Sequence, residues 1–210
     1  MFIKWFGHSS FELKIGNKVL YIDPYAGEHE EYVDKADIIL VSHWHYDHCC
    51  LVVMKQITVD DTKIVSTKET AAQFGGARVI NPGETVDFGG IMVTATPAYN
   101  IRRGGEHEKG AGLGFLIHAE DKTIYFMGDT EQIPEMKGIT ADIVLAPVGG
   151  TYVMDAEEAA RAVEQINPKL AIPTHYGKIG SITDAEYFRD LLEAKGIHVI
   201  LLDKGKEKEL

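Results

Sequence analysis

Short apolar runs recur along this chain, each bounded by glycine, proline or charged residues, and their length predicts strands rather than helices. Residues 2–6, 11–15 and 19–22 read as an antiparallel meander with Gly16-Asn17 at a turn. Residues 38–42, Ile-Ile-Leu-Val-Ser, form a continuous apolar run, the pattern of a strand covered on both faces. Further strands are predicted over 63–66, 79–80, 91–96, 114–118, 124–127, 143–146, 170–172 and 198–202. The helices are marked at their ends. Asp155 and Glu158 form a capping-box pattern ahead of 159–166, which Asn167-Pro168 stops. Thr183 with Glu186 opens a second helix that Lys195-Gly196 closes, and a shorter one follows Thr67 and ends at Gly75-Gly76. Strands alternating with helices, with no Pro/Ser-rich linker, predict one α/β layered domain over residues 1–210.

One similarity is internal. Phe11, Lys18, Tyr21 and Asp23 recur as Phe115, Lys122, Tyr125 and Asp129, the first two spacings being identical and each aspartate ending its strand. Two related halves would produce such a pattern, as would chance, since apolar hairpins look alike.

The run His43-Trp44-His45-Tyr46-Asp47-His48 carries the chemistry, because four metal-ligating side chains fall within six residues. A chain that stays extended past Ser42 projects positions 43, 45 and 47 to one side, and a turn at Asp47 brings His48 round beside them. Imidazole and carboxylate suit zinc, iron or manganese, and two ions can share such a cluster.

Composition narrows the setting. A chain of 210 residues is long enough for a sizeable core, and 45% hydrophobic with 25% charged residues is ordinary for a globular protein. Nothing approaches the length of a membrane-spanning helix and residues 1–6 lack a signal-peptide stretch, so a cytoplasmic location and no membrane partner are expected. The only cysteines, Cys49 and Cys50, are adjacent, which disfavours a disulfide; they read as small buried residues opening the segment 51–54. A net charge of −11, from 21 basic and 32 acidic residues, argues against long nucleic acid and leaves a small-molecule substrate, a small anion included. Residues 204–210 read as a charged, frayed tail without a role.

The H-x-H-x-D-H run after an apolar strand, with Gly128-Asp129-Thr130 and Pro173-Thr174-His175-Tyr176-Gly177 after two more, resembles the metallo-β-lactamase superfamily of metal-dependent hydrolases. Gly7-His8-Ser9-Ser10-Phe11 and Ile22-Asp23-Pro24-Tyr25 look like its small branch related to ascorbate-6-phosphate lactonases. The resemblance implies a four-layer αββα sandwich, two mixed sheets flanked by helices, with the internal repeat as its two halves. It implies two divalent metal ions, zinc first, with manganese, iron or nickel as alternatives. His43 and His45 are then assigned to the first ion, Asp47 and His48 to the second, Asp129 to a bridge between them, and His175 to the completion of the second. A histidine usual in the family is missing after the strand near Thr96-Pro97, where Asn100 stands. Either Asn100 coordinates through its carbonyl, or His107 folds back from the loop 101–112, the preferred reading, or one ion alone is held tightly.

The implied reaction is hydrolysis of an ester, lactone or phosphodiester of a small anionic substrate by a metal-bound hydroxide that Asp47 orients. No G-x-S-x-G elbow accompanies Ser9 and Ser10, so no serine nucleophile is invoked. His8, Tyr25, Arg102 and Arg103 are candidates for substrate contact, the arginines as a bidentate anion grip on a lid-like loop. Tyr176 is a second pocket tyrosine, and Asp23 is assigned to the outer nitrogen of a metal-bound histidine. His29, His118 and His198 read as structural or surface residues. Two other readings stay open: a non-catalytic metal or ligand sensor on the same scaffold, and a di-iron oxidoreductase, against which His45 and the short chain both argue.

Overall fold

The structure, a computed structural model, describes residues 1–103, 107–177 and 180–210. The chain forms two compact units, Met1–Ile80 with Leu202–Leu210, and Asn81–Leu201.

The first unit is built on one seven-stranded mixed sheet. Strands β1 (Phe2–Gly7), β2 (Ser10–Ile15) and β3 (Lys18–Ile22) form the antiparallel meander, with Gly16 at φ +58° in the turn. β4 (Ile38–Val41), β5 (Lys63–Ser66) and β6 (Arg78–Val79) then add in parallel beyond β3. Every residue of β4 is buried, as a strand in parallel pairing on both edges requires. Helix α1 (Leu51–Ile57) starts from Cys50 and buries Val53, Met54 and Ile57 against Phe6, Tyr21, Tyr32 and Ile39, with the Phe6 and Tyr32 rings stacked 4.1 Å apart. The short α2 (Lys68–Ala71) is capped by Thr67.

The second unit repeats the plan. Its sheet runs β7 (Thr85–Asp87), β8 (Met92–Ala98), β9 (Gly112–Ala119), β10 (Lys122–Phe126), β11 (Ile143–Pro147), β12 (Leu170–Thr174), β13 (His198–Val199), antiparallel up to β10 and parallel beyond it. Helix α3 (Ala156–Ile166) has the predicted Asp155–Glu158 capping box and ends at Asn167 in the left-handed conformation, φ +54°. Helix α4 (Ile182–Glu193) is capped two residues earlier than expected, by a Ser181–Asp184 box rather than by Thr183 with Glu186.

The internal repeat extends to individual hydrogen bonds. Asp37 donates its N–H to Val19 O at 2.9 Å and accepts the Val19 N–H on Oδ2 at 2.8 Å. Asp142 does the same with Thr123, at 2.9 Å in both directions. Each aspartate clasps a crossover chain to the start of the strand it will pair with. Asp23 and Asp129 are offset in this register, as their unequal last spacing in the repeat implies: Asp23 N bonds Leu40 O where Met127 N bonds Leu145 O, so Asp129 lies two residues further on.

A second correction concerns the C-terminal tail. β14 (Glu207–Glu209) pairs antiparallel with β1 and completes the first unit's sheet, and Lys14 Nζ reaches Glu207 at 2.5 Å. Among the described residues, no helix is long and apolar enough to cross a membrane.

Candidate metal centre

The candidate ligands stand beyond strand ends, which in parallel sheets is where backbone regularity gives way to loops that carry chemistry. In the first unit, β3 delivers Asp23, β4 delivers Ser42 and His43, and β1 delivers His8. The segment after Ser42 does not stay extended. His45 O accepts the N–H groups of His48 at 3.1 Å and Cys49 at 3.2 Å, so the run 43–48 coils into a turn that leads into α1.

Asp23 is the hub of this half. Its carboxylate is buried and accepts Ser42 N–H on Oδ1 at 2.7 Å, and Ser42 Oγ–H at 2.6 Å and His48 Nδ1–H at 2.8 Å on Oδ2. Burial raises the Asp23 pKa above its ordinary value, against the pull of His48 and of the Ser42 hydrogen bonds. Because Ser42 spends its proton on Asp23, its oxygen accepts from His43 Nδ1–H at 2.9 Å. Both imidazoles are thereby fixed in one tautomer, with the lone pair on Nε2. His43 Nε2 then stands 3.0 Å from His45 Nδ1. Ligand atoms of a tetrahedral ion at bond lengths of about 2.0–2.1 Å lie roughly 3.3 Å apart. His8 Nε2 lies 3.3 Å from Asp47 Oδ2, and its ring meets Tyr25 edge-on at 6.4 Å.

In the second unit, Asp129 follows β10 and His175 follows β12. His175 Nε2 is 3.0 Å and His107 Nε2 3.6 Å from the same oxygen, Asp129 Oδ2. Two imidazole nitrogens on one carboxylate oxygen form a second candidate ligand set. His107 is held from behind: its Nδ1–H donates to Tyr152 O at 3.2 Å, again leaving the lone pair on Nε2. Asn100 shares that carbonyl through Nδ2 at 2.7 Å, so its amide lies beside His107 Nδ1, and its N–H takes His107 O at 2.7 Å. His107, not Asn100, approaches Asp129, and Asn100 braces it. Tyr176 is buried, which pushes its hydroxyl up to about 12.

The arginines are placed otherwise than expected. Arg103 Nη1 lies 3.0 Å from Glu131 Oε1 and its Nη2 2.5 Å from Glu158 Oε2; Arg102 Nη2 contacts Glu158 Oε1. Both guanidinium groups face carboxylates of their own unit, where the sequence reading has them as an anion grip, and the Arg102 side chain stays 67% exposed. The remainder of the lid-like loop includes residues 104–106, which lie outside the described residues. Glu131 escaped the sequence reading, although it stands two residues beyond Asp129; burial works against its charge, yet the N–H groups of 101–103 and Arg103 hold its pKa below the ordinary value. Ser42 and the Tyr152 carbonyl were also missed. His118 and His198 are exposed, as is His29, and Cys49 and Cys50 are unbridged.

Histidine and carboxylate donors with preset tautomers on this mixed-sheet plan define a metal-dependent hydrolase with the metallo-β-lactamase fold. A family profile described as the beta-lactamase superfamily domain matches residues 2–175, and the chain belongs to that superfamily. Among its relatives, a UPF0173 metal-dependent hydrolase of Thermoplasma acidophilum is 35% identical over 223 residues, covering 99% of this chain and 98% of the relative. Another, of Methanopyrus kandleri, is 31% identical over 233 residues and covers 100% of both chains. The solved structure of Igni18, a metallo hydrolase from Ignicoccus hospitalis, matches at a TM-score of 0.85 with 26% identity, covering 100% of this chain and 98% of that one.

Proposed function

We propose that the two ligand sets hold two divalent ions, zinc in the first instance, and that the chain hydrolyses an ester, lactone or phosphodiester bond of a small substrate. His43, His45, Asp47 and His48 of the first unit and His107, Asp129 and His175 of the second would be the ligands. The observation that carries this reading is the tautomer control: His43, His48 and His107 each tie Nδ1 to an acceptor, Ser42 Oγ, Asp23 Oδ2 and Tyr152 O. Packing alone has no need to present Nε2 lone pairs from three histidines on two separate loops; metal ligation does. Divalent ions bound there supply Lewis acidity, polarising the scissile oxygen and making water a nucleophile near neutral pH.

The chain's own groups do the rest. Asp47 Oδ2 orients the attacking water and takes its proton, and His8 Nε2, 3.3 Å away, fixes that carboxylate. Tyr25, edge-on to His8, lines the substrate side. A net charge of −11 favours small substrates over long nucleic acid, and two unbridged adjacent cysteines suit a reducing, cytoplasmic setting.

Elemental analysis of protein purified without chelator or added metal tests the reading, alongside turnover of generic lactone and phosphodiester substrates by the wild type and Asp47→Ala. About two ions per chain and a loss of nearly all turnover in a folded variant are expected. One ion would leave a mononuclear hydrolase. No ion, and none taken up on titration, would overturn the proposal.

A further inference from the structure

The segment that carries His107 leaves β8 at Tyr99 and returns at His107, where Asn100 N–H closes its base on His107 O at 2.7 Å. Such an excursion has to be stiffened if His107 is to arrive in one place. The stiffening comes from Glu131. Its Oε2 accepts the N–H groups of Ile101 and Arg102, each at 2.8 Å, and its Oε1 accepts the Arg103 N–H at 2.9 Å. A single carboxylate thus gathers three consecutive backbone donors, while Arg103 Nη1 adds a fourth bond at 3.0 Å.

Arg103 carries the connection further. Its Nε donates to Gly150 O at 3.2 Å, and its Nη2 meets Glu158 at the start of α3. Gly150 N–H bonds Met154 O, and Met154 N–H bonds Thr130 O. The turn that supplies Tyr152 O, the acceptor for His107 Nδ1, is therefore tied into the same staple. Glu131 N–H in turn bonds Tyr99 O at 3.1 Å, and Thr130 Oγ–H bonds that same carbonyl at 3.0 Å.

We propose that Glu131 is a positioning residue for the metal centre: it staples residues 101–103 so that His107 Nε2 is delivered to Asp129, two residues from Glu131 itself. This rests on the reading of His107 as a ligand. Glu131 touches neither substrate nor ion, and it acts by removing the disorder that His107 would otherwise lose on binding metal.

Two measurements separate the staple from the ligation. Amide hydrogen exchange at Ile101, Arg102 and Arg103 in metal-free protein reads the staple alone; Glu131→Ala is expected to speed it at least tenfold. Competition for Zn²⁺ against a chromophoric chelator reads ligation; Glu131→Ala is expected to weaken the ion held by His107 about 10–100-fold, the range for outer-shell partners. Glu131→Gln, which keeps one acceptor oxygen, should fall between, and it carries both measurements if the alanine variant fails to fold. In a His107→Ala background, Glu131→Ala should change affinity by less than about twofold, because the residue it positions is gone. Glu131 variants with wild-type affinity, in a protein whose His107→Ala variant binds weakly, would overturn the proposal. So would unchanged exchange at 101–103. If His107→Ala itself keeps wild-type affinity, the ligand assignment fails and the proposal with it, whereas accelerated exchange would still identify the staple.

Discussion

Replacing Asp23 with asparagine is the sharpest probe of this centre, because one changed atom propagates to two imidazoles. Asp23 Oδ1 faces Ser42 N–H, a donor that cannot turn, so the asparagine carbonyl oxygen must take that side. Its NH₂ then replaces Oδ2, where Ser42 Oγ–H and His48 Nδ1–H both donate. His48 has to move its proton to Nε2, and Ser42 has to turn its proton toward His43 Nδ1, which pushes the His43 proton to Nε2 as well. Both nitrogens assigned to metal are blocked by a residue that touches neither ion. Loss of such partners costs 10–100-fold in affinity, about 1.4–2.8 kcal/mol, and under the proposed assignment it would apply to each of two ions. The assay is chelator competition with both sites resolved, followed by the ligand-field spectrum of the cobalt-substituted protein. Wild-type affinity at both sites would refute the tautomer argument; weakening at only the His48 site would refute the relay through Ser42.

Other expectations follow from single features. Gly128 has φ +70°, and a Cβ there would come within 2.4 Å of Leu113 O, so Gly128→Ala should displace Asp129, lower denaturant stability by at least about 2 kcal/mol and reduce metal uptake. The hydrogen bond from Lys169 and that from Thr123 N–H hold Asp142 below its ordinary value of 3.8. A depressed carboxylate contributes stability that is complete above the unfolded value and lost as pH falls through the folded one. The melting-temperature gap between wild type and Asp142→Asn should therefore be full at pH 7 and shrink below about pH 4. Removing residues 207–210 strips β14 from the edge of β1 and should lower the melting temperature by several degrees, at roughly 2–4 °C per kcal/mol for a chain of this size.

What the sequence made legible, and what it hid, divides along physical lines. Apolar runs such as 38–41 and 143–146 declared their strands because parallel strands covered on both faces leave no room for polar residues. β7 and β14 escaped because they are three-residue edge strands in which only Val86 is buried, so no burial pattern is written into them. The H-x-H-x-D-H run marked the candidate ligands and the turn at Asp47, but the extended course expected up to that residue already gives way at His45 O, a backbone event without a glycine or proline to announce it. Arg102 and Arg103 looked available because their partners, Glu131 and Glu158, lie 28 and more residues away, and ion pairs across such distances leave no local signature. The bracing that turns His107 Nε2 toward Asp129 depends on a carbonyl, Tyr152 O, that side-chain identity cannot encode.

His8, Asp23 and His175 stand at φ +51°, +44° and +57°, in the left-handed region that side chains other than glycine and asparagine resist. Each such residue costs of order 1–3 kcal/mol in conformational energy. Glu120, Asp121 and Asn167 share that region at a hairpin turn and a helix end, where folding alone accounts for it, whereas His8, Asp23 and His175 stand among the candidate ligands and their partners. Glycine at any of the three would relieve the backbone at the expense of the side chain that the site uses. A His175→Gly variant that melts higher than its parent, while taking up less metal, would make that trade visible.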